Sequence, residues 1–225
     1  MNKAYFITGT DTGVGKTLVS CALLRAFVAQ GRRAVGMKPV AAGCEAAAGS
    51  LVCDDVEKLI AAGNVAAPRA WINPYSFLPP VAPHVAATQA GVEISLDRVT
   101  EAFACLSGSA DVVIVEGVGG WRVPLNECED TADMARCLAL PVILVVGMRL
   151  GCLNHALLTA QAVEASGLKL AGWVANRVDP LMSMFDENLQ ALERRLAAPL
   201  LGVLPHSAAP DADSAAQYLR MDSLA

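Results

Sequence analysis

The sequence predicts an α/β fold, with a mostly parallel sheet flanked by helices on both faces. Three observations predict it. Short apolar runs alternate with helix-like segments along the chain. Each apolar run ends in polar or glycine residues, as strands do when a ligand sits beyond their carboxyl ends. The first run also passes through a glycine-rich loop directly into a helix pattern.

Taken in order, residues 4–8 form an apolar strand around Tyr5-Phe6-Ile7, and residues 16–30 form a helix carrying Leu23, Leu24 and Phe27. A second strand covers 34–38. A helix over 55–62 starts at Asp54-Asp55, where Asp54 reads as the N-cap. After a helix over 95–106, the strand over 111–116 has the β-branched core Val112-Val-Ile-Val115. A helix over 131–139 leads to a strand over 142–147. The apolar stretch 138–148 around that strand is too short to span a bilayer and contains Pro141, so it reads as buried. A helix over 153–166, a strand over 170–176, a helix over 184–196, a strand over 200–204 and a helix over 211–219 complete the pattern. Six strands are expected, in one α/β domain over residues 1–225.

Composition narrows the function. Hydrophobic residues make up 54% and charged residues 17% of the chain, which leaves room for a buried interface in a homo-oligomer. Seventeen Lys and Arg against 22 Asp and Glu give a net charge of −5, with no basic stripe. Nucleic acid and membrane are therefore not expected partners. No charged-then-apolar leader begins the sequence, so a cytoplasmic location is expected. Seven cysteines, at 21, 44, 53, 105, 128, 137 and 152, form no C-x-x-C pair and read as reduced thiols that mostly pack the core.

The loop Gly9-Thr-Asp-Thr-Gly13-Val-Gly15-Lys16-Thr17 carries the first chemical signal. A triphosphate needs several backbone N–H groups aimed at one point, and glycines at 13 and 15 let the backbone approach. Lys16 would place a point charge on the β and γ phosphates, Thr17 a hydroxyl on Mg²⁺, and the following helix its positive dipole end. The spacing from Gly9 to Gly15 is one residue longer than in the general phosphate-loop pattern, so Thr10 takes the usual first glycine position. The sheet is accordingly expected to be P-loop NTPase-like.

Other strand ends supply partners. Glu116, followed by Gly117-Val118-Gly119-Gly120, places a carboxylate that can reach Mg²⁺ opposite Thr17. Lys38, between an apolar strand and Pro39, is suited to neutralise charge on a transferring phosphoryl group. The turn Gly151-Cys152-Leu153-Asn154 at a helix start offers backbone donors to an anion such as a carboxylate, and Asn154 reads equally as that helix's cap. His84 and His155 show no metal-ligand spacing and read as structural. Trp121 reads either as a pocket wall or as packing.

With those residues in place, the chain closely resembles the ATP-dependent dethiobiotin synthetases of biotin biosynthesis. The match runs nearly end to end. It is carried by Tyr5-Phe-Ile-Thr-Gly-Thr-Asp-Thr12 with Val14-Gly-Lys-Thr17, Lys38-Pro-Val-Ala41, Asn73-Pro-Tyr75, Pro83-His84 and Val115-Glu-Gly117 with Gly119-Gly-Trp121. It continues through Leu140-Pro-Val-Ile-Leu-Val-Val-Gly147, Leu150-Gly-Cys152 with Asn154-His155, Leu170-Ala-Gly-Trp-Val-Ala-Asn176 and Pro199-Leu-Leu-Gly202.

The resemblance implies a homodimer that converts 7,8-diaminononanoate, CO2 and ATP to dethiobiotin, ADP and phosphate. It implies catalytic roles for Lys16, Lys38 and Thr12, the last near a carbamate, and a Mg²⁺ site at Thr17, Asp55 and Glu116. ATP contacts would fall on Gly13, Val14, Gly15, Lys16, Thr17, Leu18, Asp55, Glu116, Gly117, Val118, Gly119, Arg177, Pro205 and His206, with Asn176 reading the adenine. Substrate contacts would fall on Lys38, Ala42, Gly151, Cys152, Leu153 and Asn154, the turn at 151–154 coming from the partner subunit. Three positions depart from the family's pattern. Gly13 stands where relatives often carry an acid, Ala42 where a Ser or Thr hydroxyl commonly meets substrate, and Asn188 where some relatives carry Tyr.

Two rival readings fit a phosphate loop. A nucleotide-driven partitioning or membrane-targeting switch would place an extra lysine early in the loop, where Thr10-Asp11 supplies none, and the stretch 211–225 lacks a basic amphipathic face. An amidotransferase-like synthetase would need a glutaminase domain, for which 225 residues leave no room.

Overall fold

The computed structural model describes residues 2–47 and 49–224. Strand β1 (Lys3–Gly9) leads into α1 (Lys16–Ala29) and β2 (Ala34–Met37). Three short strands, β3 (Val40–Ala42), β4 (Glu45–Ala47) and β5 (Ser50–Val52), precede α2 (Asp54–Ala62), α3 (Arg69–Ile72), β6 (Tyr75–Phe77), α4 (Pro83–Gln89) and α5 (Leu96–Ser109). Then come β7 (Val112–Glu116), α6 (Thr131–Leu138), β8 (Val142–Gly147), α7 (Cys152–Ala165), β9 (Leu170–Asn176), α8 (Phe185–Arg195), β10 (Leu200–Leu204) and α9 (Ala212–Ala216). A 3₁₀ turn covers Met221–Leu224.

Six strands form the central sheet in the order β10-β9-β8-β1-β7-β2, with every pairing parallel. All residues of β2, β7, β8 and β9 are buried. Strands covered on both faces read as continuous apolar runs, not as alternating ones, and that is how they stand in the sequence. The pleat then divides each run between two cores. Tyr5, Ile7, Ile114, Ile143, Val145 and Val174 pack with Leu23, Leu24 and Phe27 of α1. Phe6, Val113, Val115, Leu144, Val146 and Trp173 face the opposite way, onto Val99 and Leu106 of α5, Met134 of α6, Val163 of α7 and Leu192 of α8. The expected sheet with helices on both faces is the observed one.

The chain leaves β1 toward β2 on one side and later crosses from β7 over β1 to β8 on the other. Connections diverge at the carboxyl end of β1, which opens a crevice there. The phosphate loop fills its floor.

Several boundaries differ from expectation. Four further strands stand outside the central sheet: β3 pairs with β6, and β4 with β5. Helices α3 and α4 follow Pro68 and Ala82, with Pro83 opening the second, and the last helix covers only Ala212–Ala216. Asp54 is not the N-cap of α2. That position is Cys53, without a side-chain cap, while Asp54 sits inside the first turn and pairs with Lys58 at 2.5 Å. Asn154 is likewise not a cap, because Gly151, at φ 93°, caps α7 in the left-handed conformation.

Candidate active site

The phosphate loop is shaped from below. The Val14 side chain is buried against Gly9 and Gly147, where an added Cβ would lie 2.6 Å from it in either case. Small residues at both places let the valine seat between the ends of β1 and β8. Gly13 and Gly15 take φ values of 74° and 91°, and Gly13 has open space beside it. Gly15 is the N-cap of α1, and the first turn of α1 carries Lys16, Thr17 and Leu18. Thr12 is exposed at the loop tip, its N–H donating to the Asp11 carboxylate at 2.7 Å.

Lys16, Thr17, Lys38, Asp55, Glu116 and Gly117 come together above the sheet. Thr17 Oγ1 lies 2.9 Å from both Asp55 Oδ1 and Glu116 Oε1. Lys38 Nζ donates to Glu116 Oε1 at 2.5 Å, to Asp55 Oδ2 at 3.2 Å and to the Gly117 carbonyl at 3.2 Å. Lys38 is 4% exposed and Glu116 1%. Burial alone would pull the Lys38 pKa down. The charges and hydrogen bonds of Glu116 and Asp55 more than offset it, so the pKa is raised and the ammonium stays charged. Burial likewise pushes Asp55 up, but Lys38 and the Thr17 hydroxyl outweigh it and its pKa is lowered. Lys16 behaves differently. Burial and then the neighbouring Lys38 charge bring it down to about 8, against the pull of Glu116, Asp55 and Asp11. Its ammonium reaches the Asp11 carbonyl at 3.2 Å.

Glu116 Oε2 is buried without a hydrogen-bond partner. An orphaned carboxylate oxygen beside a second carboxylate and a hydroxyl is a donor set that suits Mg²⁺, which keeps several waters and takes few protein ligands. No cluster of three or more His, Cys, Asp or Glu that could hold a metal ion occurs among the described residues.

Other expected residues stand at or just beyond the ends of strands. Gly117 packs against Phe6, where a Cβ would meet the ring at 3.0 Å. Val118 and Gly119 continue the loop, and Trp121 is buried edge-on to Phe6 at 6.2 Å, which makes it packing. Asn176, at the end of β9, donates its amide to the Val14 carbonyl at 2.8 Å. Arg177 stacks over Phe185 at 4.9 Å, and Pro205 and His206 are exposed beyond β10. Ala42 ends β3, half-buried. A cavity of about 300 Å³ adjoins Thr17 and Leu18 and is also lined by Lys58 and Asp211.

The turn at 151–154 stands apart from the lysines. Among the described residues no hydrogen bond or ion pair joins it to Lys38 or Lys16. The Cys152 N–H is taken by the Arg149 carbonyl at 3.0 Å, while those of Leu153 and Asn154 have no partner within the helix. Arg149 itself bridges to the phosphate loop through Asp11, at 2.5 Å. His155 is exposed, His84 half-buried, and Asn188 turns back onto the Met184 carbonyl at 2.7 Å.

Two residues that position the site carry no signal of their own in the sequence. Asn73 is buried and donates to the Lys38 carbonyl at 2.6 Å and to that of Tyr75 at 2.9 Å, which fixes the backbone from which Lys38 projects. Arg149 braces the loop tip. The Asn-Pro turn at Asn73 is the one hint that a side chain there serves the backbone.

Comparison with known proteins identifies the family and the fold. A family model described as an AAA domain matches residues 3–213. In fold, the chain is similar to the septum site-determining protein MinD of Pyrococcus horikoshii, complexed with Mg-ADP, with a TM-score of 0.55 at 18% identity over 92% of this chain and 82% of that one. It is 58% identical to the ATP-dependent dethiobiotin synthetase BioD of Nitrosospira multiformis, over 94% of this chain and 92% of that protein. It is also 58% identical to the protein of the same name from Aromatoleum aromaticum, over 97% of each. At that identity and coverage, with a phosphate loop and a buried lysine between two carboxylates, the chain belongs to the ATP-dependent dethiobiotin synthetase family, and is an ATP-dependent ligase of biotin biosynthesis.

Proposed function

We propose that this chain joins 7,8-diaminononanoate and CO2 to give dethiobiotin, driven by conversion of ATP to ADP and phosphate. One amine of the substrate captures CO2 as a carbamate, and a carbamate oxygen attacks the γ-phosphate of ATP. The second amine then attacks the carbonyl carbon of the resulting anhydride and expels phosphate, which closes the cyclic urea. Phosphorylation is needed because the carbamate oxygen is otherwise a poor leaving group.

The observation that carries this reading is the Lys38 ammonium, buried and kept charged by Glu116 and Asp55 beside the phosphate loop. A fixed cation stabilises the charge spread over a transferring phosphoryl group far more in a buried site than in water. Lys16 would hold the β and γ phosphates, whose charge restores the proton that burial loosens. Thr12, at the exposed tip, would meet the carbamate. Thr17, Asp55 and Glu116 would hold Mg²⁺, which supplies charge neutralisation at the phosphates.

The backbone of Gly13 to Leu18 and of Gly117 to Gly119 would line the phosphates. Asn176, Arg177, Pro205 and His206 would flank the base. Lys38 and Ala42 would face the diamine, and the turn at Gly151, Cys152, Leu153 and Asn154 of a second copy would take its distant carboxylate. Residues 1–225 would act as one domain in a cytoplasmic homodimer, with neither nucleic acid nor membrane as partner. In support of an enzyme over a nucleotide switch, Asp11 occupies the early loop position and pairs with Arg149, where a switch would present a lysine. No helix among the described residues is long and apolar enough to cross a membrane.

The test is phosphate release from ATP and Mg²⁺ with and without the diamine and bicarbonate, while dethiobiotin is followed by mass spectrometry. One dethiobiotin per phosphate, dependent on the diamine, is the expected result. Phosphate release indifferent to the diamine would overturn it.

A further inference from the structure

Between the half-buried Ala42 and the Asp55 of the site, the chain makes a hairpin, β4 to β5, whose first strand is exposed and whose second is half-buried at Leu51 and Val52, with a cysteine at each foot. Its register pairs Glu45 with Val52, Ala46 with Leu51 and Ala47 with Ser50. One step further down, the same register sets Cys44 opposite Cys53. The two do not exchange backbone bonds, because the Cys44 N–H donates to the Phe77 carbonyl at 3.0 Å and the Cys53 carbonyl accepts from the Glu57 N–H at 3.0 Å. That places them in the class of cross-strand pair without mutual backbone bonds, for which Cα atoms typically lie about 4.5 Å apart. A disulfide spans Cα separations of roughly 4.4–6.8 Å.

Both cysteines are free and buried, at 4% and 6% exposure. The Cys44 thiol is pushed up to about 11, by burial first and then by the neighbouring Cys53. It also points at the Ala41 carbonyl, at 3.8 Å. A raised pKa keeps Cys44 mostly in the thiol form, so a strong two-electron oxidant is needed to react with it. The other buried cysteines, Cys21 and Cys152, stand on α1 and α7, and Cys105, Cys128 and Cys137 are exposed on helices and a loop.

We propose that Cys44 and Cys53 are a reversible oxidation site, forming a disulfide that closes the 45–52 hairpin at its base. With a peroxide as oxidant, one sulfur attacks a peroxide oxygen and becomes a sulfenic acid as the O–O bond breaks and one water leaves. The second thiol attacks that sulfur, forms the S–S bond and releases a second water. Two electrons and two protons pass from the thiols to the peroxide. A dithiol reverses the step by exchange. Because the hairpin joins β3 to the helix that begins at Asp54, the bond would tie together the two segments that enter the site at Ala42 and Asp55.

The test uses the full chain with Cys105→Ser, Cys128→Ser and Cys137→Ser, which removes the exposed competitors. Folded protein is treated with hydrogen peroxide, quenched with an alkylating reagent and mapped after digestion. The expected result is that the peptide holding both cysteines is lighter by two hydrogens and unalkylated, and that dithiothreitol restores both thiols. The melting temperature should rise by several degrees on oxidation, and not in a further Cys53→Ser variant. Alkylation of both Cys44 and Cys53 after treatment, or a sulfinic acid on either, overturns the proposal. If the triple variant folds poorly, the same mapping on the unsubstituted chain distinguishes the same two outcomes at Cys44 and Cys53.

Discussion

Asn176 Nδ2 donates to the carbonyl of Val14 across 2.8 Å, joining the end of β9 to the phosphate loop over 162 residues of sequence. The amide lies directly against Gly15, where an added Cβ would stand 2.2 Å from it. The strut and the glycine therefore depend on each other. Asn176→Ala leaves a buried carbonyl unpaired, a cost of about 1–3 kcal/mol. Weaker ATP binding is expected, measured by calorimetry, with the secondary structure intact. Gly15→Ala should abolish binding, and adding Asn176→Gly to it should recover only part of the loss. The clash goes, but the strain of an alanine at φ 91° stays. Full recovery in the double variant would show that the strain is unimportant.

Lys38→Met removes the ammonium that, among the described residues, forms ion pairs with both Glu116 and Asp55, and leaves Glu116 buried without an ion-pair partner, beside the Thr17 hydroxyl. Truncating one member of a buried pair costs roughly 3–5 kcal/mol. The variant should melt lower, still bind ATP, and form no dethiobiotin above about a thousandth of the normal rate. Mg²⁺ without nucleotide should raise its melting temperature more than that of the unsubstituted chain, because the carboxylates no longer face a competing ammonium. Near-normal turnover would sink the role given to Lys38.

Lys16 sets a pH dependence. Its pKa in the folded chain is lowered to about 8 from the ordinary 10.5. Between those two values the unfolded chain binds the extra proton, so this group favours the folded state more as pH rises through that window, and least below it. ATP has the opposite demand, since phosphates need the charged ammonium. Binding near pH 8 should therefore take up a fraction of a proton, and ATP affinity should fall as pH rises further. Calorimetry in two buffers of different ionisation heat reads the proton directly. No uptake would mean that Lys16 is already fully charged.

Leu150 is 98% exposed beside the Gly151 turn, and Leu158, Leu181 and Met184 are more than half exposed on the segments around α7 and α8. If the turn serves a second copy as proposed, these exposed leucines would form part of the surface between the two copies. Leu150→Asp should shift the chain from dimer to monomer in sedimentation and remove activity at low protein concentration. An unchanged sedimentation coefficient would place the interface elsewhere.

The six strands of the central sheet were legible because burial on both faces writes each as an unbroken apolar run, as in Val112 to Val115 or Val142 to Val146. β3 to β6 were not, since each spans only three residues, and Glu45-Ala-Ala47 has no apolar period to read. In the site, the loop glycines with Lys16 and Thr17 announce themselves, because phosphate chemistry restricts the residue types. Lys38 and Glu116 could be picked out as charges at strand ends. That both meet Asp55 depends on how α2 packs beside β2, and Asp55 entered only through the family resemblance. Asn73 and Asn176 act through backbone carbonyls 35 and 162 residues away, distances over which local sequence carries no trace.

The seating of Val14 between Gly9 and Gly147 has a thermodynamic consequence. A loop wedged from beneath by the sheet loses its freedom when the chain folds, not when a nucleotide arrives. Little ordering entropy then remains to be lost on association, so that more of the contact free energy at the phosphates becomes affinity. The same wedge makes the cup brittle. A methyl group added at position 9 or 147, beneath the loop, would lift the valine and deform the whole loop at once.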